Sequence, residues 1–193
     1  MDGLHLMREA RSILQPFWLI SIGVCLVYAI VLGGPPELNS YGEVLSLLLA
    51  GPLNLGLSIY FLKIVNSEPL GIENIVNGFR PLLQVLLLYF VSTILIVLGL
   101  ILFIIPGIIL SMGFSMSYFI MAEHQDITFA EALQQSWDLT QNHKMELFLL
   151  NLRFIPWYIL GILCLLVGVF IVMPWHQSTL ALFYKKLKVN ENL

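Results

Sequence analysis

Charge is what this sequence has least of. Only 11% of its 193 residues are Asp, Glu, Lys or Arg, less than half the roughly 25% of a soluble domain. A water-facing surface that poor in charge would aggregate, so the solvent for most of the chain is lipid. The nine Lys and Arg are scattered and the formal net charge is −3, which excludes a nucleic-acid-binding patch. Cysteine is nearly absent too. Cys25 and Cys164 both lie deep in apolar runs, read as small core residues and not as a disulfide or a metal pair. No H-E-x-x-H, G-x-S-x-G or P-loop occurs, so catalysis has no motif to rest on. No cofactor is implied and the chain reads as non-enzymatic.

What is present in quantity is uninterrupted apolar sequence. Pro81 to Ala122 is 42 residues without a formal charge, and a helix needs about 20 to cross a bilayer. Ser12–Pro36 and Val44–Leu62 supply one crossing each, and Leu147–Tyr184 two more, interrupted only by Arg153. The first run is too long for a signal-peptide core and lacks a clean cleavage site, so it is expected to be retained. The fold class is therefore all-α: a polytopic membrane helix bundle forming one integral membrane domain over 1–193. Its six spans lie at about 15–33, 44–64, 81–98, 101–122, 145–166 and 169–186. Eight of the nine basic residues, all but Arg153, fall on one side of these spans. The positive-inside rule makes that side cytoplasmic, with both termini facing in and the chain in the inner (plasma) membrane.

Three further segments belong to the inner side. Ile72, Ile75, Val76 and Phe79 make one face of a short helix over 72–79. Thr128-Phe129-Ala130-Glu131 is a capping box opening a second helix over 128–143. Its apolar face is Phe129, Leu133 and Trp137, and its polar face is Glu131, Gln134, Gln135 and Asp138. Leu4, Met7 and Leu14 form a weaker stripe before the first span. Such helices are expected to lie flat at the headgroup boundary, in contact with membrane lipids or a protein partner.

Spans one, three and five begin near Pro16, Pro81 and Met145, and spans two, four and six each contain one proline, Pro52, Pro106 and Pro174. Tyr60, Phe61 and Lys63 follow Pro52 much as Phe183, Tyr184 and Lys185 follow Pro174, while Tyr118 and Phe119 are displaced. This reads as three hairpin units, each led by an interfacial helix, with turns near Gly99 and Gly168. The prolines are expected to kink their helices. Gly107, Ser111 and Ser115, and Ala50, Asn54 and Ser58, form small-residue seams for close packing.

Ionisable groups at mid-depth are functional candidates by default. Arg153 stands about 12 Å along span five and His176 about 15 Å from the inner end of span six, at 1.5 Å per residue. Asn54 and Gln177 fall near the same depth, so Asn54, Arg153, His176 and Gln177 are the candidates for one intramembrane polar layer. The favoured alternative has Arg153 snorkelling to the headgroups, towards Glu146. No carboxylate lies at mid-depth, which disfavours ion-coupled transport; a small permease for a neutral or anionic solute stays as the alternative function. Glu123-His124-Gln125-Asp126 reads as a solvated loop, and His143 as the C-terminal cap of the helix begun at Thr128.

Several of these stretches together resemble a known pattern. Ile104-Ile105-Pro106-Gly107-Ile108, Ser115-Met116-Ser117-Tyr118, the loop helix and His143-Lys144-Met145-Glu146-Leu147-Phe148 recur in order. So do Leu55-Gly56-Leu57, Asn77-Gly78-Phe79 and the tail from Pro174 to Leu180-Ala181-Leu182-Phe183-Tyr184. Across about 45–187 the chain resembles an uncharacterised family of six-span bacterial membrane proteins, related to the membrane domain sometimes fused to glycerophosphoryl diester phosphodiesterases. The resemblance implies an integral membrane protein and no activity. Arg153 lies outside the recognised pattern. The motif of mitochondrial three-repeat carriers, P-x-[DE]-x-x-[KR], does not occur.

Overall fold

The computed structural model describes residues 3–32, 39–70, 77–164 and 167–191, without the side chains of 39–45 and 191. Among them the secondary structure is helical: α1 (Gly3–Leu14), α2 (Trp18–Leu32), α3 (Asn39–Asn66), α4 (Leu82–Leu102), α5 (Ile104–Phe114), α6 (Ser117–Glu123), α7 (Phe129–Thr140), α8 (Lys144–Leu163) and α9 (Val167–Glu191). Short 3₁₀ turns cover Gln15–Phe17 and Asn77–Phe79. Six stretches are long and apolar enough to cross a membrane: Gly3–Leu32, Ser46–Asn66, Leu82–Leu102, Ile104–Glu123, Lys144–Leu163 and Val167–Asn190. Each overlaps one of the spans expected from the charge-free runs.

Burial separates a central group from a lipid-facing one. The apolar stretch of α3 is 78% buried inside the protein, against 22% for both α4 and α8. Leu19, Ile101, Met145 and Leu163 project outward from α2, α4 and α8, as side chains do when lipid is the solvent. The C-terminal halves of α3 and α9 are covered by their neighbours, and Phe61, Phe183 and Tyr184 are nearly inaccessible. Phe119 of α6 stacks on Tyr184 with ring centroids 5.7 Å apart, joining the third unit's core to the second's.

The three-unit plan carries a regularity that spacing alone did not show. Each short leading element docks on the second helix of another unit. Gly78 lies against the α3 backbone, where a Cβ would stand 2.6 Å from the Gly56 nitrogen. α7 docks where α5 gives way to α6, and Trp137 packs on Gly113, where a Cβ would stand 2.7 Å from the indole Cζ3. α1 docks on α9, where the Trp175 indole donates 2.8 Å to the carbonyl of Met7. Unit two sits on one, three on two, and one on three. The set closes into a ring.

Several expectations need correction. Pro52 and Pro174 are interior to α3 and α9, but Pro106 is the third residue of α5. There its missing N–H would have had no helical partner anyway, so it starts a helix and does not kink one. The break in span four lies at Ser115–Met116, which is why Tyr118 and Phe119 looked displaced when counted from Pro106. Gly99 is not the turn either. α4 runs on to Leu102, the chain reverses at an extended Phe103 (φ −158°, ψ 143°), and Gly99 instead lets α4 meet Gly107, whose Cα would stand 3.0 Å from an added Cβ. Gly161 and Gly168 make the corresponding contact between α8 and α9.

In the expected small-residue seams, the Ser111 and Ser115 hydroxyls turn back to the carbonyls of Ile108 and Met112. On α1, Leu4 faces outward and the buried stripe is Leu6, Met7, Ala10 and Leu14. Cys25 is buried as expected, whereas Cys164 is exposed at the end of α8. Of the expected 72–79 helix, Ile72, Ile75 and Val76 lie outside the described residues. Phe79 belongs to the 3₁₀ turn.

Candidate functional site

α7 begins as its sequence predicts. Thr128 accepts from the Glu131 amide through its hydroxyl, and Glu131 reaches back to the Thr128 amide at 3.0 Å. Those bonds hold the Glu131 carboxyl below its ordinary range. Glu131, Gln134, Gln135 and Asp138 are exposed, as the polar face should be. The other face is not spread on lipid. Ala132, Leu133, Ser136, Leu139 and Thr140 are buried against α4, α5, α6 and α9. The Ser136 hydroxyl donates 2.7 Å to the Gly113 carbonyl and accepts from the Met116 amide at 3.2 Å. The break between α5 and α6 frees that carbonyl and that amide, and one hydroxyl serves both. Polar buried positions on an amphipathic helix are the reason it docks on protein and not on the headgroups.

His143 does not cap α7. It is the N-cap residue of α8, and its Nδ1 meets Glu146 at 3.1 Å.

Of the four candidate polar-layer residues, Asn54, Arg153 and His176 stand in separate surroundings. The Asn54 side-chain carbonyl accepts 2.9 Å from the Tyr28 hydroxyl, and its NH₂ donates 2.9 Å to the Ala50 carbonyl. His176 sits between Asn151 Oδ1 at 2.9 Å from Nε2 and the Tyr158 hydroxyl at 3.1 Å from Nδ1. Asn151 donates through Nδ2 to the Leu147 carbonyl at 2.8 Å, so its Oδ1 is an acceptor and Nε2 of His176 must carry the proton. A neutral ring in that tautomer accepts from Tyr158 at Nδ1, and both nitrogens are satisfied. Arg153 is exposed with its guanidinium against Gly3, where an added Cβ would stand 3.4 Å from the guanidinium carbon. Gln177 is half-buried beside His176. Asn151 and Tyr158 were not singled out from sequence. Their i, i+7 spacing around the buried Leu150 and Phe154 places them on the face of α8 that meets α9, and that was the available signal.

The second concentration of polar chemistry is where α9 ends. Glu123 accepts from the Tyr184 hydroxyl at 2.8 Å and is paired with Lys188. Glu9 of α1 is paired with Lys186 at 2.5 Å, and Lys185 reaches the carbonyl of Val65 at 3.5 Å. Beside them an open cleft of about 420 Å³ lies between α1, α3 and α9.

Comparison with known proteins finds a membrane protein among the relatives of this chain. The chain is 35% identical over 139 residues, 72% of its length, to the UPF0259 membrane protein of Sodalis glossinidius (strain morsitans), 53% of which is covered. The chain thus spans about half the length of that curated relative. No solved structure matches. Residues 89–191, from within α4 to the end of α9, match the family described as "Protein of unknown function (DUF975)". That match covers more than half of the sequence, so the chain belongs to this family, as an integral membrane protein of unassigned role.

Proposed function

We propose that this protein is non-enzymatic and acts through contacts of its bundle and its leading helices with membrane lipid or a membrane partner. It resides in the inner (plasma) membrane with both termini cytoplasmic, as the placement of eight of its nine cations supports. Kinship with the membrane domain of glycerophosphoryl diester phosphodiesterases belongs to the same proposal and rests on the motif order alone. One observation carries the reading. Asn54 and His176 are bonded within their own clusters while Arg153 lies outward at Gly3. A permease path would need these groups to face one cavity.

Site-specific photo-crosslinking tests the proposal from Arg8 on α1 and from Gln134 on the exposed face of α7. A discrete adduct, one lipid class or one protein, is the expected result. Indiscriminate labelling from both positions, with no discrete band, would sink it.

A further inference from the structure

We infer that the cleft at the end of α9 is a binding site for one anionic phospholipid, with its phosphate at Lys185 and its first acyl methylenes on Ile13 and Leu182. This rests on the lipid arm of the reading above and gives it a place and a lipid class.

Depth comes first. Lys185 stands about 27 Å along α9 from Val167, at 1.5 Å per residue. A hydrocarbon core is about 30 Å thick, so the ammonium lies where lipid phosphates lie. The composition of the cleft follows the same division. Glu9, Lys185 and Lys186 are among its polar lining residues, and Ile13 and Leu182, each about one helical turn nearer the adjoining span than Glu9 and Lys185, are among its apolar ones, the order in which a glycerophospholipid passes from phosphate to acyl chain.

Charge then selects among lipids. Lys186 is committed to Glu9 at 2.5 Å. Among the described residues Lys185 has only the Val65 carbonyl, at 3.5 Å, the outer limit of a hydrogen bond. Two ammonium groups and one carboxylate leave a single positive charge, which one phosphodiester neutralises. A zwitterionic lipid would bring its own ammonium into a cleft whose carboxylate is already paired. Basic pockets between spanning helices at the headgroup level are a known form of anionic-lipid recognition. The three walls come from α1, α3 and α9, so the site exists only while α1 is docked.

The test uses the full-length protein in detergent, monitored by native mass spectrometry with phosphatidylglycerol or phosphatidylcholine added. The expected result is preferential retention of phosphatidylglycerol. Lys185→Gln should weaken it about fivefold, the effect of one juxtamembrane cation, and Glu9→Gln should strengthen it by freeing Lys186. Lys144→Gln, on α8 and outside the cleft, should leave retention unchanged, with circular dichroism showing each variant folded. Equal retention of both lipids, or no change in Lys185→Gln, overturns the site while leaving general lipid contact standing. Displacement of phosphatidylglycerol by millimolar inorganic phosphate overturns the lipid in favour of a free anion. A Lys185-dependent dimer overturns it in favour of a second copy.

Discussion

Ser136 shows how much one hydroxyl carries in a solvent that offers no hydrogen bonds. It serves the Gly113 carbonyl and the Met116 amide together; its removal would orphan the amide and leave the carbonyl only the Thr140 hydroxyl, at 3.3 Å. Ser136→Ala is expected to destabilise the protein by about 1–3 kcal/mol, read as a lowered unfolding temperature in detergent, with Ser136→Thr retaining most of the stability. Glu131 behaves differently because it faces solvent. Its carboxyl is held low by the Thr128 amide first and the Thr128 hydroxyl second, so the cap contributes fully above the ordinary carboxylate range and is lost as pH falls through the lowered value. Thermal unfolding of wild type and Glu131→Gln should therefore differ at neutral pH and converge in acid. The capping box was legible because both of its partners lie within four residues. Ser136 was not, because its partner is 23 residues away on another helix, and nothing local marks a serine as the group that closes a break.

Among elements, helices were legible and their joints were not. Lipid demands long apolar runs, and such runs survive in one dimension. A joint depends on what packs against it. Pro106 and Pro52 look alike in sequence, yet one opens a helix and the other lies inside one. Gly99 looked like a turn, yet it is a contact point within α4. The glycine contacts make a further expectation. A Cβ at Gly161 would stand 2.8 Å from the backbone of Gly168 and Val169, and backbone cannot rotate away as a side chain can. Gly161→Val should cost about 1–3 kcal/mol by overpacking. Gly23→Val, with open space around it, should be tolerated; parallel melting curves in one detergent check both.

For the whole molecule, Cys164 is a built-in reporter. α8 runs 20 residues from Lys144 to Leu163, about 30 Å at 1.5 Å per residue, so Cys164 emerges at the face opposite the lysines. Cys25 is buried. A membrane-impermeant maleimide should label intact cells at Cys164 alone and lose its signal in Cys164→Ser; labelling only after permeabilisation would reverse the proposed orientation. The three-unit spacing was visible in the chain, but its closure was not. The contact between Met7 and Trp175 spans 168 positions, far beyond any local pattern.

That closure has a consequence for how the protein is made. α1 leaves the ribosome long before α9, whatever flanks them, yet α9 is the main packing partner of α1, whose buried stripe is Leu6, Met7, Ala10 and Leu14. Until synthesis reaches α9, the apolar stripe of α1 stays incompletely covered. A nascent chain arrested before Trp175 would carry a complete first helix without its main packing partner.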